Sequence, residues 1–325
     1  MKRRDFILTS LSSIAAMGPW PVRSASAASF PNRPLRLIVP FPPGGGTDVV
    51  ARALAAKASE RLGQQIIVEN KSGGMGAIAQ RELAKESADG HTIVFDSMAI
   101  VVFPHLMREP LYNPVKELDP VGETNSFPFV IIANPKVPIQ TVADLIAHLR
   151  TRPDSLNIAV GGATTRLAAE LFKLTAGVDM RFIPYRGGAP TMTALISGES
   201  DIYFGDIPTV IPHIRSGRVK AIAITSRKRS FLLPDTSTVA EAGLPNYEFS
   251  SWNGLYVKAG TQPDVIASLH TAFQAALQEP SILEMLRLAG SEPSAKSSAE
   301  FRSYTSQQFE FWKDIIQRSG MPMIS

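Results

Sequence analysis

Twice along the chain a short apolar run ends in a glycine loop that leads straight into a helical pattern. The run at 35–39 is followed by Pro42-Pro43-Gly44-Gly45-Gly46-Thr47-Asp48 and a helix over 49–62. The run at 158–160 is followed by Gly161-Gly162-Ala163-Thr164-Thr165 and a helix over 166–175. Strand, tight turn and helix in that order predict β-α-β units, in which a largely parallel sheet is covered by helices. Strand-like runs at 66–69 and 92–95, separated by a helical pattern over 77–86, complete the first unit. In the second, Thr141 and Asp144 have capping-box spacing for a helix to Arg150. Runs at 181–184, 202–204 and 219–224 and a helix over 191–197 complete it. The expected fold class is therefore α/β, in two lobes.

Two further runs, 129–133 and 251–257, fall where the chain passes from one unit to the other. Pro128, Pro135 and Pro138 flank the first, and Pro234, Gly243, Pro245 and Asn246 precede the second. Two crossings make a hinge, and they place lobe one at 28–126 plus 250–325 and lobe two at 127–249. Only helices follow residue 257. One starts at Pro263 and carries Val265, Leu269, Phe273 and Leu277 on one face. The last starts at Ser298, with Phe301, Tyr304, Gln308, Trp312 and Ile315 near one stripe, a packing surface for the core.

The first residues point to export. Lys2, Arg3 and Arg4 precede an apolar run over 6–17, and Ala25-Ser26-Ala27 is a small-x-small cleavage site, so residues 1–27 read as a signal peptide. Arg3-Arg4-Asp5-Phe6 has a twin-arginine form; an ordinary secretory signal with two arginines is the alternative. Either would place the protein in the periplasm. The whole chain has 33 basic and 29 acidic residues. Removing Lys2, Arg3, Arg4, Arg23 and Asp5 leaves 29 against 28, a net charge of +1, which argues against nucleic acid as a partner. Having no cysteine, the chain cannot form disulfides, thiolate metal sites or a Cys nucleophile. His91, His105, His148, His213 and His270 are scattered without metal-ligand spacing, and no metal or cofactor is implied.

The paired glycine loops carry the chemistry. In each, glycine lets the backbone approach a ligand, Thr47, Asp48, Thr164 or Thr165 can cap, and free N–H groups with the helix dipole suit an anion at a strand's carboxyl end. Either loop alone can equally be a well-capped turn. Together, one per lobe, they can grip one anion from both sides. Phe41, Ser97 and Met98 lie at the same sheet edge as the first loop, and Tyr185, Arg186, Gly205 and Asp206 at the equivalent edge of lobe two. Arg166 stands in the first turn of a helix, where a cation opposes the dipole unless a ligand carboxylate, solvent or a nearby acid compensates. A dinucleotide fingerprint fails because Val49 stands where Gly or Ala is needed, and no Lys follows the glycines as a phosphate loop requires. There is no Gly-x-Ser-x-Gly elbow. Asp48, Asp96, Asp201 and Asp206 could pair as acid and base, but capping or turn roles suit them better.

Several segments, taken together, resemble the substrate-binding proteins of tripartite tricarboxylate transporters, the Bordetella-uptake-gene family. They are residues 31–48, ending in Pro42-Pro43-Gly44-Gly45-Gly46-Thr47-Asp48; Arg61-Leu62-Gly63-Gln64-Gln65-Ile66-Ile67-Val68-Glu69-Asn70; Ala88-Asp89-Gly90-His91-Thr92; Pro184-Tyr185-Arg186-Gly187-Gly188-Ala189-Pro190; and Leu233-Pro234-Asp235 with Thr238-Val239-Ala240-Glu241-Ala242-Gly243. The resemblance implies a two-lobed periplasmic binding protein-like fold of type II. A monomeric receptor would close over a small organic carboxylate and deliver it to membrane transporter subunits. It also implies ligand contacts from Gly45, Gly46, Thr47, Asp48, Ser97, Gly161, Gly162, Ala163, Thr164, Thr165, Tyr185 and Asp206, to which the positions of Phe41, Met98 and Arg166 beside these loops add three further candidates. Two departures stand out: Gly46 replaces a common Ser, and the loop at 161–166 is shorter than the family form and carries Arg166 near a position often held by His. A receptor that signals to a sensor kinase is an alternative, and so is an exported enzyme using the same cleft. The missing nucleophile and metal motifs argue against the enzyme.

Overall fold

The computed structural model describes residues 30–153 and 155–323; the signal segment 1–27 lies outside the described residues. The first β-α-β run is β1 (Leu35–Val39), α1 (Gly46–Leu62), β2 (Ile66–Asn70), α2 (Ala77–Lys85), β3 (Thr92–Ser97), α3 (Ala99–Leu106) and the single turn α4 (Pro114–Glu117). β4 (Leu118–Ala133) follows. The second run is α5 (Val142–Thr151), β5 (Asn157–Val160), α6 (Ala163–Ala176), β6 (Arg181–Pro184), α7 (Gly188–Ser197), β7 (Ile202–Asp206), α8 (Ile207–Arg215) and β8 (Lys220–Ile224). β9 (Ser250–Lys258), α9 (Pro263–Leu277), α10 (Pro280–Leu288), β10 (Glu292–Pro293) and α11 (Ser298–Ser319) close the chain.

The strands pair in the order β2-β1-β3-β9-β4-β7-β5-β6. β1 is parallel to β2 and β3, and β5 is parallel to β6 and β7, as β-α-β connections require. β4 belongs to both halves. Its residues Leu118–Pro128 run antiparallel to β9, and Phe129–Ala133 run antiparallel to β7 on one side and β8 on the other. The result is two α/β lobes, a type II binding-protein architecture, carried on one long shared strand.

The sequence pattern finds only 129–133 of β4. The preceding stretch, LDPVGETNSFP, has Pro120 and Pro128 and no alternation, yet it pairs because β9 supplies a partner along its whole length, with register shifts near Gly122 and Asn125. Periodicity also assigns no element to α3 or α8. α3 is apolar nearly all round and includes Pro104, so it has no stripe to detect. α8 contains Pro208 and Pro212, which read as breakers, but Pro208 falls in the first turn, where a missing N–H costs nothing.

The last helix ties the halves together. Phe301, Trp312, Ile315 and Ile316 of α11 are buried in a core that holds Ile38 and Val94 of the first lobe as well as Phe172 and Phe204 of the second. At the crossing point the rings of Phe129 and Phe249 lie 4.9 Å apart, and those of Phe249 and Trp312 5.6 Å apart. No helix among the described residues is long and apolar enough to cross a membrane.

Candidate functional site

α1, α6 and α7 each begin three residues earlier than periodicity indicates, at Gly46, Ala163 and Gly188. Consequently the glycines belong to the helix entries. The N-caps of α1 and α6 are Gly45 and Gly162, and neither helix has a side-chain cap. The first ladder bonds are made by Val49 N–H to the Gly45 carbonyl and Arg166 N–H to the Gly162 carbonyl. The amides of residues 46–48 and 163–165 therefore lie outside the helical ladder, an electropositive N-terminus in each lobe.

Asp48 and Thr165 have matching tasks, and capping is not among them. Asp48 Oδ2 accepts the N–H of Gly44 at 2.9 Å, and Thr165 Oγ1 accepts that of Gly161 at 2.9 Å. Each side chain thus reaches back four residues and fixes the loop that precedes its helix. Asp48 is further held by Arg52 at 3.0 Å and by Asn70 Nδ2 at 2.8 Å; Asn70 also donates to the Phe41 carbonyl at 3.0 Å. Burial pushes the Asp48 carboxyl up, but the hydrogen bonds from Arg52, Gly44 and Asn70 outweigh it and hold the group at about 2. Gly161 is required for space. A Cβ there would meet Thr191 Oγ1 at 2.8 Å and the Gly187 carbonyl oxygen at 3.0 Å.

These loops face one cavity of about 500 Å³, a normal size for a small-molecule site. Phe41, Gly46, Thr47 and Ser97 line it from the first lobe, and Gly161, Gly162, Thr164, Thr165 and Asp206 from the second. The crossing strands form part of the lining through Asn125, Phe127 and Phe129 of β4 and Ser251 and Asn253 of β9. Val50, Tyr203, Leu286, Ala289 and Ser291 add to the walls. No Lys, Arg or His lines it among the described residues, and Asp206 is the one lining carboxylate. Asp206 also caps α8, accepting from Thr209 N–H at 3.3 Å and Thr209 Oγ1 at 2.6 Å.

Six residues expected as contacts stand outside the lining. Gly45 and Ala163 are in the loops without reaching it. Asp48 is a buried brace. Met98 is core, its N–H donating to the Trp252 carbonyl at 2.9 Å. Tyr185 directs its hydroxyl to Glu199 at 3.0 Å and Ser200 at 2.9 Å. Arg166 is already engaged within its own lobe. Its guanidinium pairs with the buried Glu170 one turn on, with Nε at 2.7 Å, and lies 3.4 Å from the centroid of the Phe182 ring. The acid that offsets the dipole penalty is in the same helix, so no ligand is needed to explain the cation. Conversely, Asn125, Asn253 and Ser291 belong to no motif; the one sequence signal for them is a lone Asn in the otherwise strand-like run at 251–257.

Loss of the Asp48 brace has a defined expectation. Asp48→Ala should cost about 1–2 kcal/mol of stability at pH 7, because it strips partners from a loop amide and from Asn70. The depressed pKa makes the contribution fully present above pH 3.8 and lost as pH falls towards 2. Urea titrations of both proteins at pH 7 and pH 2.5 check this; an equal gap at the two values would refute the ionic part.

Two α/β lobes on a shared strand, with an uncapped helix N-terminus from each facing one cavity, define a two-lobed solute-binding protein. The chain matches the tripartite tricarboxylate transporter family receptor model over residues 50–321, and it belongs to that family. Protein BugT of Bordetella pertussis is 34% identical over 299 residues, covering 91% of this chain and 92% of the relative. An R. palustris protein, Rpa4515, solved with adipate, superposes with a TM-score of 0.76 at 34% identity, covering 90% of this chain and 98% of that one. MatC from Rhodopseudomonas palustris, solved with bound malate, gives 0.73 at 28% identity, covering 88% and 100%. Membership makes the chain a receptor and not an enzyme. Among the described residues no cluster of three His, Cys, Asp or Glu could hold a metal ion.

Proposed function

We propose that this chain is a monomeric periplasmic receptor that captures a small organic carboxylate between its lobes and delivers it to the membrane subunits of a tripartite tricarboxylate transporter. The observation that carries the reading is the pair of helix N-termini, Gly46–Asp48 and Ala163–Thr165, with amides outside the helical ladder and no side-chain cap, on opposite sides of one cavity. Such amides bind a carboxylate without a cationic side chain. The adipate and malate held by two relatives agree with this ligand class. Gly46, Thr47, Ser97, Gly161, Gly162, Thr164 and Thr165 are the proposed contacts, with Phe41 and Asp206 bounding them. In this reading lobe one comprises residues 28–126 plus 250–325 and lobe two residues 127–249, and closure bends β4 and the entry to β9. Removal of residues 1–27 on export precedes function.

The test is thermal unfolding of residues 28–325 with mono- and dicarboxylates, amino acids, sugars and nucleotides. A true ligand at about 100 times its Kd stabilises by about 2.7 kcal/mol. Stabilisation by sugars or nucleotides alone would reject the carboxylate class. For transport, deletion of the gene should abolish uptake of the identified carboxylate, and restoring the chain should recover it; uptake unaffected by deletion would reject the transport role.

A further inference from the structure

Behind the first-lobe wall of the cavity lies a carboxyl with no cation to balance it. Asp96 is 2% exposed, and the next residue, Ser97, lines the cavity. Asp96 Oδ1 accepts the Ser97 N–H at 2.7 Å, so the carboxyl is bonded to the same residue that faces the occupant. Oδ2 lies beside Gly76, and Gly76 beside Pro40, the residue before the lining Phe41: a Cβ on Gly76 would sit 3.7 Å from Oδ2 and 3.8 Å from Pro40 Cβ.

The elements packed around Asp96 bring neutral groups. α2 contributes Gln80, whose Nε2 donates to Oδ2 at 3.3 Å. The segment before α4 contributes Tyr112 and β9 contributes Tyr256, both phenols kept protonated by burial first, with the Asp96 charge adding to it. Among the described residues no lysine, arginine or histidine offsets the Asp96 charge. Gln80 can serve the carboxyl in either charge state. Its Nε2 donates to the ionised form. Its Oε1 is buried without a partner, and once the amide turns over that oxygen can accept the proton of a neutral carboxyl. Oδ1 keeps the Ser97 N–H in both.

We infer that capture of the anionic solute is coupled to uptake of a proton by Asp96, so that the receptor holds its ligand more tightly as pH falls through the neutral range. This rests on the carboxylate-receptor reading, which places a ligand carboxylate at Ser97 and the helix N-termini. Since Asp96 Oδ1 is 2.7 Å from Ser97 N, an anion hydrogen-bonded to Ser97 comes within about 10 Å of it. At that range inside a protein, like charges move a protonation equilibrium by about tenfold. Burial already pushes the Asp96 carboxyl up to about 7, against the pull of Ser97 and Gln80, so a further rise falls in the neutral range. The sign follows from reciprocity. The ligand raises the affinity of Asp96 for a proton, so the proton raises the affinity for the ligand, and binding weakens as pH climbs past 7.

Calorimetry on residues 28–325 with straight-chain mono- and dicarboxylates of four to eight carbons tests it between pH 6.5 and pH 8.5, where the probes stay ionised. The tightest probe should bind about three- to tenfold more weakly at pH 8.5 than at pH 6.5, and heats compared in phosphate and Tris at pH 7.5 should show a fraction of a proton taken up. Asp96→Asn should bind equally at both pH values and take up none. Affinity independent of pH, proton release on binding, or a pH dependence that persists in Asp96→Asn overturns this inference and leaves the carboxylate receptor standing. No binding by any probe overturns both. Carboxyl carbon resonances of labelled wild-type protein decide even where Asp96→Asn does not fold. One aspartate should titrate near neutrality, and at a higher pH with the probe than without; a titration that the probe leaves unmoved overturns the coupling.

Discussion

Replacing Asp96 by asparagine is expected to stabilise the protein at pH 8 by a few kcal/mol, up to about 4, and hardly at all at pH 4. Asp96 is the penultimate residue of β3, directly before the cavity residue Ser97, and is only 2% exposed. Burial pushes its carboxyl up to about 7, against the opposing pull of the Ser97 N–H at 2.7 Å and Gln80 Nε2 at 3.3 Å. A carboxyl whose pKa rises from 3.8 on folding takes up a proton, so stability declines between pH 4 and pH 7 and stays lower above. Asparagine keeps the shape and the acceptor for Ser97 and removes the buried charge. Its amide can also donate to Gln80 Oε1, which has no partner, once the Gln80 amide turns over. Urea denaturation of both proteins at pH 4.5, 6 and 8 measures the gap. A gap that does not widen with pH would show that Asp96 is ionised at no such cost.

The second large effect belongs to Phe301. Phe301→Ala should destabilise by about 3–5 kcal/mol, the usual cost of emptying a fully buried aromatic site. This ring, fully buried, lies 5.4 Å from that of Trp252 and 5.5 Å from that of Tyr256. Between those residues Gly254 leaves the space that the ring fills, since a Cβ on Gly254 would come within 2.3 Å of Phe301 Cζ. The two positions are therefore coupled. Gly254→Ala alone should be destabilising, but added to Phe301→Ala it should cost much less or recover stability by filling part of the cavity. Strict additivity in the four-protein cycle would contradict this packing.

What the sequence reveals here follows from where each signal originates. The β-α-β order, the two glycine loops and the face of α11 are encoded locally, in runs and spacings, and the structure reproduces them. The extent of β4 is not local: Pro120 and Pro128 argue against a strand until β9 provides a partner. Helix starts at 46, 163 and 188 precede the periodic residues because the glycines contribute backbone and nothing to a hydrophobic stripe. Arg166 shows the limit most clearly. Its conflict with the helix dipole was visible, but Glu170 at one turn's distance was the simpler remedy, and Phe182 comes from a different strand. Asn125 and Asn253 are 128 residues apart, so their pairing became visible only when the two crossing strands lay side by side.

The aromatic cluster at the crossing also gives the protein an optical property. The chain has three tryptophans, of which Trp20 falls in the segment expected to be cleaved on export. The other two, Trp252 and Trp312, are both buried in the core where the lobes meet: Trp252 stacks edge-on to Phe301, and Trp312 meets Phe249 while its indole N–H donates to Gln308 Oε1 at 3.0 Å. Indole emission from residues 28–325 should thus come wholly from the core where the two halves meet, with no surface tryptophan to dilute it, so that a change in intrinsic fluorescence on adding ligand is the expected label-free signature of the proposed closure.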